Sequence, residues 1–120
     1  MNRPEQELQK QVASFLNMAL RPDDGVTWFH VMNNPRNKVA GGIAKAMGMI
    51  AGIPDIGIIH NGRLFWIELK APKGRVSPVQ KQCHALMARC GCTTDVCRSL
   101  DDVASILRIA GVPMRAKVTG

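Results

Sequence analysis

Apolar positions recur along the chain first at helical and then at strand spacing. Leu8, Val12, Phe15, Leu16 and Ala19 share one face of a helix from about Pro4 to Leu20. Arg21-Pro22-Asp23-Asp24-Gly25 ends that helix, and Val26 to Met32 is a short β-type run before Asn33-Asn34-Pro35. Residues 33–54 are rich in Asn, Gly, Lys and Arg, with a short helix around Ile43–Met49. Two apolar runs follow, about Ile53–His60 and Arg63–Lys70, and Asn61-Gly62 between them is the strongest short-range signal for a hairpin. The second run is apolar on both faces until its last residues, as a central strand is.

Ser77-Pro78-Val79-Gln80 opens a helix to about Arg89, with Ser as N-cap, Pro first and Gln third. Gly91 stops it, Thr93–Arg98 reads as a strand, and Ser99 caps a last helix that runs to about Ala110. The order is α-β-(α)-β-β-α-β-α: an α/β domain with a mixed sheet flanked by helices.

A chain of 120 residues makes one small domain, here residues 1–120 with 113–120 as a basic C-terminal tail. Hydrophobic content of 46% with 21% charged residues reads as globular. The sixteen Lys and Arg outnumber nine Asp and Glu, for a net charge of +7 that fits a polyanionic partner. No apolar run approaches the ~18 residues that span a bilayer, so a membrane is excluded and the cytoplasm is the expected compartment. Cys83, Cys90, Cys92 and Cys97 form no C-x-x-C pair and read as core thiols of a reducing compartment. Gly41-Gly42-x-x-Lys45 lacks the order of a P-loop, so no nucleotide cofactor is expected.

The chemistry concentrates in the hairpin. With Asn61 and Gly62 at the turn centre, His60 faces Arg63, and every facing pair sums to the same residue number. Asp55 therefore faces Glu68, at a spacing of about 4.5–5.5 Å between Cβ atoms where like charges repel. Lys70 lies two residues further and points to the same face. Glu68 interrupts an otherwise apolar strand, where a buried carboxylate is costly without a partner. A divalent cation resolves that repulsion, and Mg²⁺ takes one or two carboxylates plus waters and substrate phosphate. Lys70 beside such a centre can position the nucleophile or offset charge on a scissile phosphate.

Gly52-Ile53-Pro54-Asp55, Trp66-Ile67-Glu68-Leu69-Lys70 and Gly74-Arg75-Val76-Ser77-Pro78-Val79-Gln80 together resemble the PD-(D/E)XK nucleases, and among them the VRR-NUC (virus-type replication–repair nuclease) branch. The likeness runs from Glu5-x-x-Leu8-Gln9 to the last helix. It implies a restriction-endonuclease-like fold and Mg²⁺- or Mn²⁺-dependent hydrolysis of DNA phosphodiester bonds. It further implies that Asp55, Glu68 and the carbonyl of Leu69 hold metal while Lys70 is catalytic. By its spacing to Leu8-Gln9 the first-helix glutamate of the family matches Glu5, with Glu7 a close competitor. Gln80 matches a family glutamine, although a Ser77-x-x-Gln80 capping box explains it equally. Small stand-alone members are similar to dimeric enzymes that cleave branched DNA such as four-way (Holliday) junctions, so a homodimer is implied.

Arg36, Lys38, Lys45, Lys73, Arg75 and Lys81 flank the acidic centre in sequence and are expected to contact the phosphate backbone. His30, His60 and His84 are scattered, and His60 adjoins the turn, away from Asp55. The competing readings are a non-catalytic nucleic-acid-binding module of the same fold and an accessory subunit of a phage replication or repair complex. A pure binder, however, has no need for carboxylates that face each other across a hairpin.

Overall fold

The computed structural model describes residues 2–32 and 37–115. Arg36 and the end of the basic tail therefore lie outside the described residues.

Helix α1 (Arg3–Ala19) starts one residue before Pro4, because Asn2 caps it and its side-chain oxygen accepts the Glu5 N–H at 3.0 Å. Proline at the second helical position is tolerated there, since its missing N–H would have no intrahelical acceptor. All five residues of the apolar stripe are buried. Glu5 lies on the same stripe, three residues before Leu8, and is buried too, whereas Glu7 is exposed.

A 3-10 turn (Pro22–Asp24) leads to β1 (Val26–His30), then α2 (Lys38–Ala46), β2 (Ile56–His60) and β3 (Arg63–Leu69). The sequence placed α2 around Ile43–Met49; it forms earlier because the Asn37 side chain accepts the Ala40 N–H and caps it there. Gly48, at φ +103°, closes its end. The hairpin is as read. Asn61 and Gly62 both have positive φ, as a type I′ turn requires, and His60 pairs with Arg63 through to Ile56 with Ile67. One step further along that register, Asp55 lies across from Glu68.

Helix α3 (Pro78–Arg89) opens on a complete capping box, in which the Ser77 hydroxyl accepts the Gln80 N–H and the Gln80 side chain accepts the Ser77 N–H. It carries the chain over to β4 (Thr94–Cys97), which pairs parallel with β3, and α4 (Leu100–Ile109) follows. The sheet order is β1-β2-β3-β4, so β3 is central and the sheet mixed. One face packs α1 and α4, with Leu16, Ile56, Ile58, Ile67, Leu69 and Leu107 at the centre of the core. The cysteines depart from the expectation of core thiols: Cys83 and Cys97 are buried, but Cys90 is exposed and Cys92 half-buried around the Gly91 turn.

One glycine fixes how the loop before β2 meets α3. Gly52 sits at φ +76°, and a Cβ there would lie 2.6 Å from the Val79 carbonyl oxygen. Glycine alone satisfies both the left-handed backbone and the close approach. The Gly-x-Pro-Asp and Ser-Pro-x-Gln segments are thus packed on each other, and the helix start is held beside Asp55.

Candidate active site

Asp55 is fastened on both sides. Its carbonyl oxygen accepts the Val31 N–H at 2.8 Å, which extends the β1–β2 ladder by one bond. The His30 ring meets the same carbonyl through Nδ1 at 2.8 Å. A carbonyl can only accept, so Nδ1 carries a proton in this contact. On the other side, Asp55 Oδ2 accepts the backbone N–H of Leu69 at 2.7 Å. Asp55 is thereby held from β1 through its backbone and from β3 through its carboxylate.

Glu68 is 1% exposed, and it points away from Ile67 and Leu69 of the core face by strand alternation. Its Oε1 lies 3.0 Å from Nε2 of His84, on α3, and its carboxyl also hydrogen-bonds the Asp55 side chain. Burial, then the hydrogen bond and negative charge of Asp55, push the Glu68 carboxyl up to about 9, against the pull of Lys70. Burial, and then the charge of Lys70, lower His84. Both shifts favour the neutral forms, so the contact between Glu68 and His84 is a hydrogen bond between neutral groups rather than an ion pair.

Lys70 is 8% exposed, its backbone N–H donating to the Cys97 carbonyl at 3.0 Å. It forms no ion pair within 4.0 Å among the described residues, which leaves the ammonium available to an anion.

These groups face one cleft of about 650 Å³, lined also by Glu5, Gln80, Arg75, Lys10 and His30. The structure thus brings together Asp55, Glu68, Lys70, Glu5, Gln80 and Arg75 from the sequence-based set. Leu69 buries its side chain in the core and brings its backbone to the site. Lys38, Lys45, Lys73 and Lys81 are exposed but do not line the cleft. Gln80 completes the capping box and also lines the cleft. Glu5, rather than Glu7, faces the site.

Sequence reasoning missed four residues. Lys10 shares a helical face with Gln6, beside Glu5, and that spacing was a usable signal. His30 ends β1 next to the hairpin, also a readable position. His84 follows Gln80 by one helical turn. Arg98 gave no local signal: its guanidinium donates to the carbonyls of Ala71 (2.8 Å), Pro72 (3.3 Å) and Gly74 (2.6 Å), and so fixes the turn that carries Arg75.

The donor chemistry fits a hard divalent cation. Ionising both carboxyls sets like charges side by side, which is why Glu68 is pushed up, and a shared positive charge offsets that repulsion. Among the described residues no three His, Cys, Asp or Glu side chains converge tightly enough to hold a metal alone. The set is therefore an open one, of the kind in which waters and substrate oxygens complete the coordination.

A mixed sheet that ends its central hairpin in facing carboxylates and a lysine, above a cleft with cationic walls, defines a nuclease of the PD-(D/E)XK kind. The chain belongs to the VRR-NUC family, whose domain model matches residues 3–101. A solved structure described as a VRR-NUC domain protein is similar at 23% identity and a TM-score of 0.67, covering 91% of this chain and 88% of its own. Another, described as a VRR-NUC domain, has 16% identity and a TM-score of 0.60, with 89% of this chain and 97% of its own covered. No curated protein matches the chain. No described helix is long and apolar enough to cross a membrane.

Proposed function

We propose that this nuclease is a Mg²⁺- or Mn²⁺-dependent deoxyribonuclease, and that Asp55 and Glu68 with the Leu69 carbonyl hold the cation. The observation that carries the reading is the facing carboxylate pair, with Glu68 pushed up to about 9 beside a fully fastened Asp55. When bound, the cation supplies Lewis-acid stabilisation of the phosphoryl oxygens and lowers the pKa of water. Glu5, from the first turn of α1, is the third carboxylate beside it.

The rest of the chemistry falls to the chain itself. Lys70 neutralises charge that develops on the scissile phosphate, in a site where burial strengthens that interaction. Arg75 and Lys10 hold the flanking phosphates, which positions the strand without reading its sequence. Gln80 orients the attacking or leaving oxygen from the start of α3. The more distant Lys38, Lys45, Lys73 and Lys81 supply long-range attraction for the polyanion.

Branched DNA such as a four-way junction is the substrate we favour, cut by a homodimer that presents one site to each of two strands. That preference rests on the family resemblance. The experiment is incubation of the purified chain with Mg²⁺ or Mn²⁺ and a panel of linear, flap, fork and four-way-junction DNAs. Cation-dependent cutting, strongest on the junction, supports the proposal in full. Cutting that survives EDTA contradicts the metal assignment, and inertness on every substrate favours the non-catalytic module.

A further inference from the structure

Behind the cleft wall lies a contact that the hydrolytic mechanism does not itself use. His84 does not line the cleft; its side chain is 16% exposed and backs onto Glu68, whose side chain is 2% exposed. We propose that His84 is a positioning residue, which fixes the Glu68 carboxylate for the cation by holding its Oε1 through Nε2. This inference rests on the metal-dependent reading of the site and deepens it.

Three features of the structure support it. First, the contact is short, 3.0 Å, and joins groups sixteen residues apart on separate elements. Second, each carboxyl has its own partner on a neighbouring element: Asp55 Oδ2 accepts the Leu69 N–H of β3, and Glu68 Oε1 meets His84 of α3. Third, α3 is itself anchored: the Ser77–Gln80 box fixes its start, and Gly52 packs against its first turn. Gln80 and His84 stand one turn apart on the same helical face, one lining the cleft and the other behind its carboxylate.

The physical consequence concerns order. An ionised carboxylate accepts only, so a His84 Nε2–H donates to Oε1 once the cation is present. A glutamate without that bond spreads over several rotamers, and the cation must then select one of them. Partners of this outer kind are typically worth about 10- to 100-fold in metal affinity.

The test is a calorimetric titration of Mn²⁺ alone into the full-length wild type, His84→Gln and His84→Leu, with thermal melts of each metal-free protein. Gln keeps an amide N–H at the reach of Nε2, and Leu fills the space without a donor, so neither variant depends on tolerance of a cavity. The expected result is Mn²⁺ affinity about 10- to 100-fold weaker in His84→Leu and largely restored in His84→Gln. Should His84→Leu fail to fold, a His84→Gln affinity near wild type together with a weakened His84→Phe supports the same conclusion. Wild-type affinity in His84→Leu overturns the positioning role. A wild type that binds no Mn²⁺ and cuts no DNA overturns the metal-dependent reading itself, and this inference with it.

Discussion

Asp55 Oδ2 accepts the backbone N–H of Leu69 at 2.7 Å, one residue past Glu68, its neighbour across the hairpin. A side chain at the end of one strand thus caps the ladder of the next, and the same bond sets the distance between the carboxylates. Removing the acceptor leaves a half-buried N–H unpaired, at a cost of roughly 1–3 kcal/mol. Asp55→Asn keeps an oxygen for Leu69 and loses the charge that repels Glu68. In metal-free buffer Asp55→Asn is therefore expected to melt at or above wild type, and Asp55→Ala below Asp55→Asn. Thermal denaturation in EDTA checks the order.

The Glu68 carboxyl makes stability pH-dependent in an unusual direction. Its folded pKa is raised from 4.5 to about 9, so the metal-free fold binds this proton more tightly than the unfolded chain does. The contribution is fully present below the unfolded value and is lost as pH rises through the folded one. Glu68→Gln, which cannot ionise, is expected to melt several degrees above wild type at pH 8.5 in EDTA. At pH 4 the difference should vanish, and saturating Mg²⁺ should narrow it at high pH. Melts across this window would falsify the assignment if Glu68→Gln gained nothing at alkaline pH.

Gly52 joins the loop before β2 to α3. Its φ of +76° is strained for any other residue, and a Cβ would stand 2.6 Å from backbone of Val79. Gly52→Ala is expected to lose on the order of 2 kcal/mol or more, through strain and displacement of the helix start. Urea denaturation measures the loss, and a midpoint unchanged from wild type would refute the packing described.

Arg98 acts on the loop and not on the chemistry. Its Nη1 alone donates to the Ala71, Pro72 and Gly74 carbonyls, so Arg98→Leu keeps the apolar stem and removes all three bonds. Arg98→Leu is expected to raise KM for DNA by about 10-fold, roughly the 1.4 kcal/mol of a lost charge-assisted bond, with kcat little changed. Faster proteolysis within residues 71–75 should accompany it. Steady-state kinetics that show wild-type KM would contradict this role.

What the sequence disclosed and what it withheld separate along one physical line. The Asn61-Gly62 turn dictates its own register, so Asp55 opposite Glu68 follows from neighbours in sequence. The Ser77–Gln80 box is likewise local, and α3 begins and ends where its caps place it. Glu5 over Glu7 was also readable, because Glu5 extends the stripe of Leu8 and Val12 that the core buries. By contrast, His84 meets Glu68 across 16 residues and His30 meets Asp55 across 25, and each contact exists only once separate elements have docked. Arg98 depends on β4 lying beside β3, which no local pattern announces. Helix α2 slid from its expected place because an Asn37 cap outweighed apolar spacing.

The central claim is that the carboxylates brought face to face by the hairpin hold the cation on which cleavage depends. Asp55→Asn tests it most directly, since that variant keeps the bond to Leu69 and removes only the charge. The decisive measurement is the rate of junction-DNA cleavage by wild type and Asp55→Asn across a Mg²⁺ and Mn²⁺ titration. The account predicts cation-dependent cutting by wild type, and a folded Asp55→Asn slower by at least about 100-fold, some 2.7 kcal/mol of transition-state stabilisation. Wild-type-like cutting by Asp55→Asn, or cutting by either protein in excess EDTA, would contradict it.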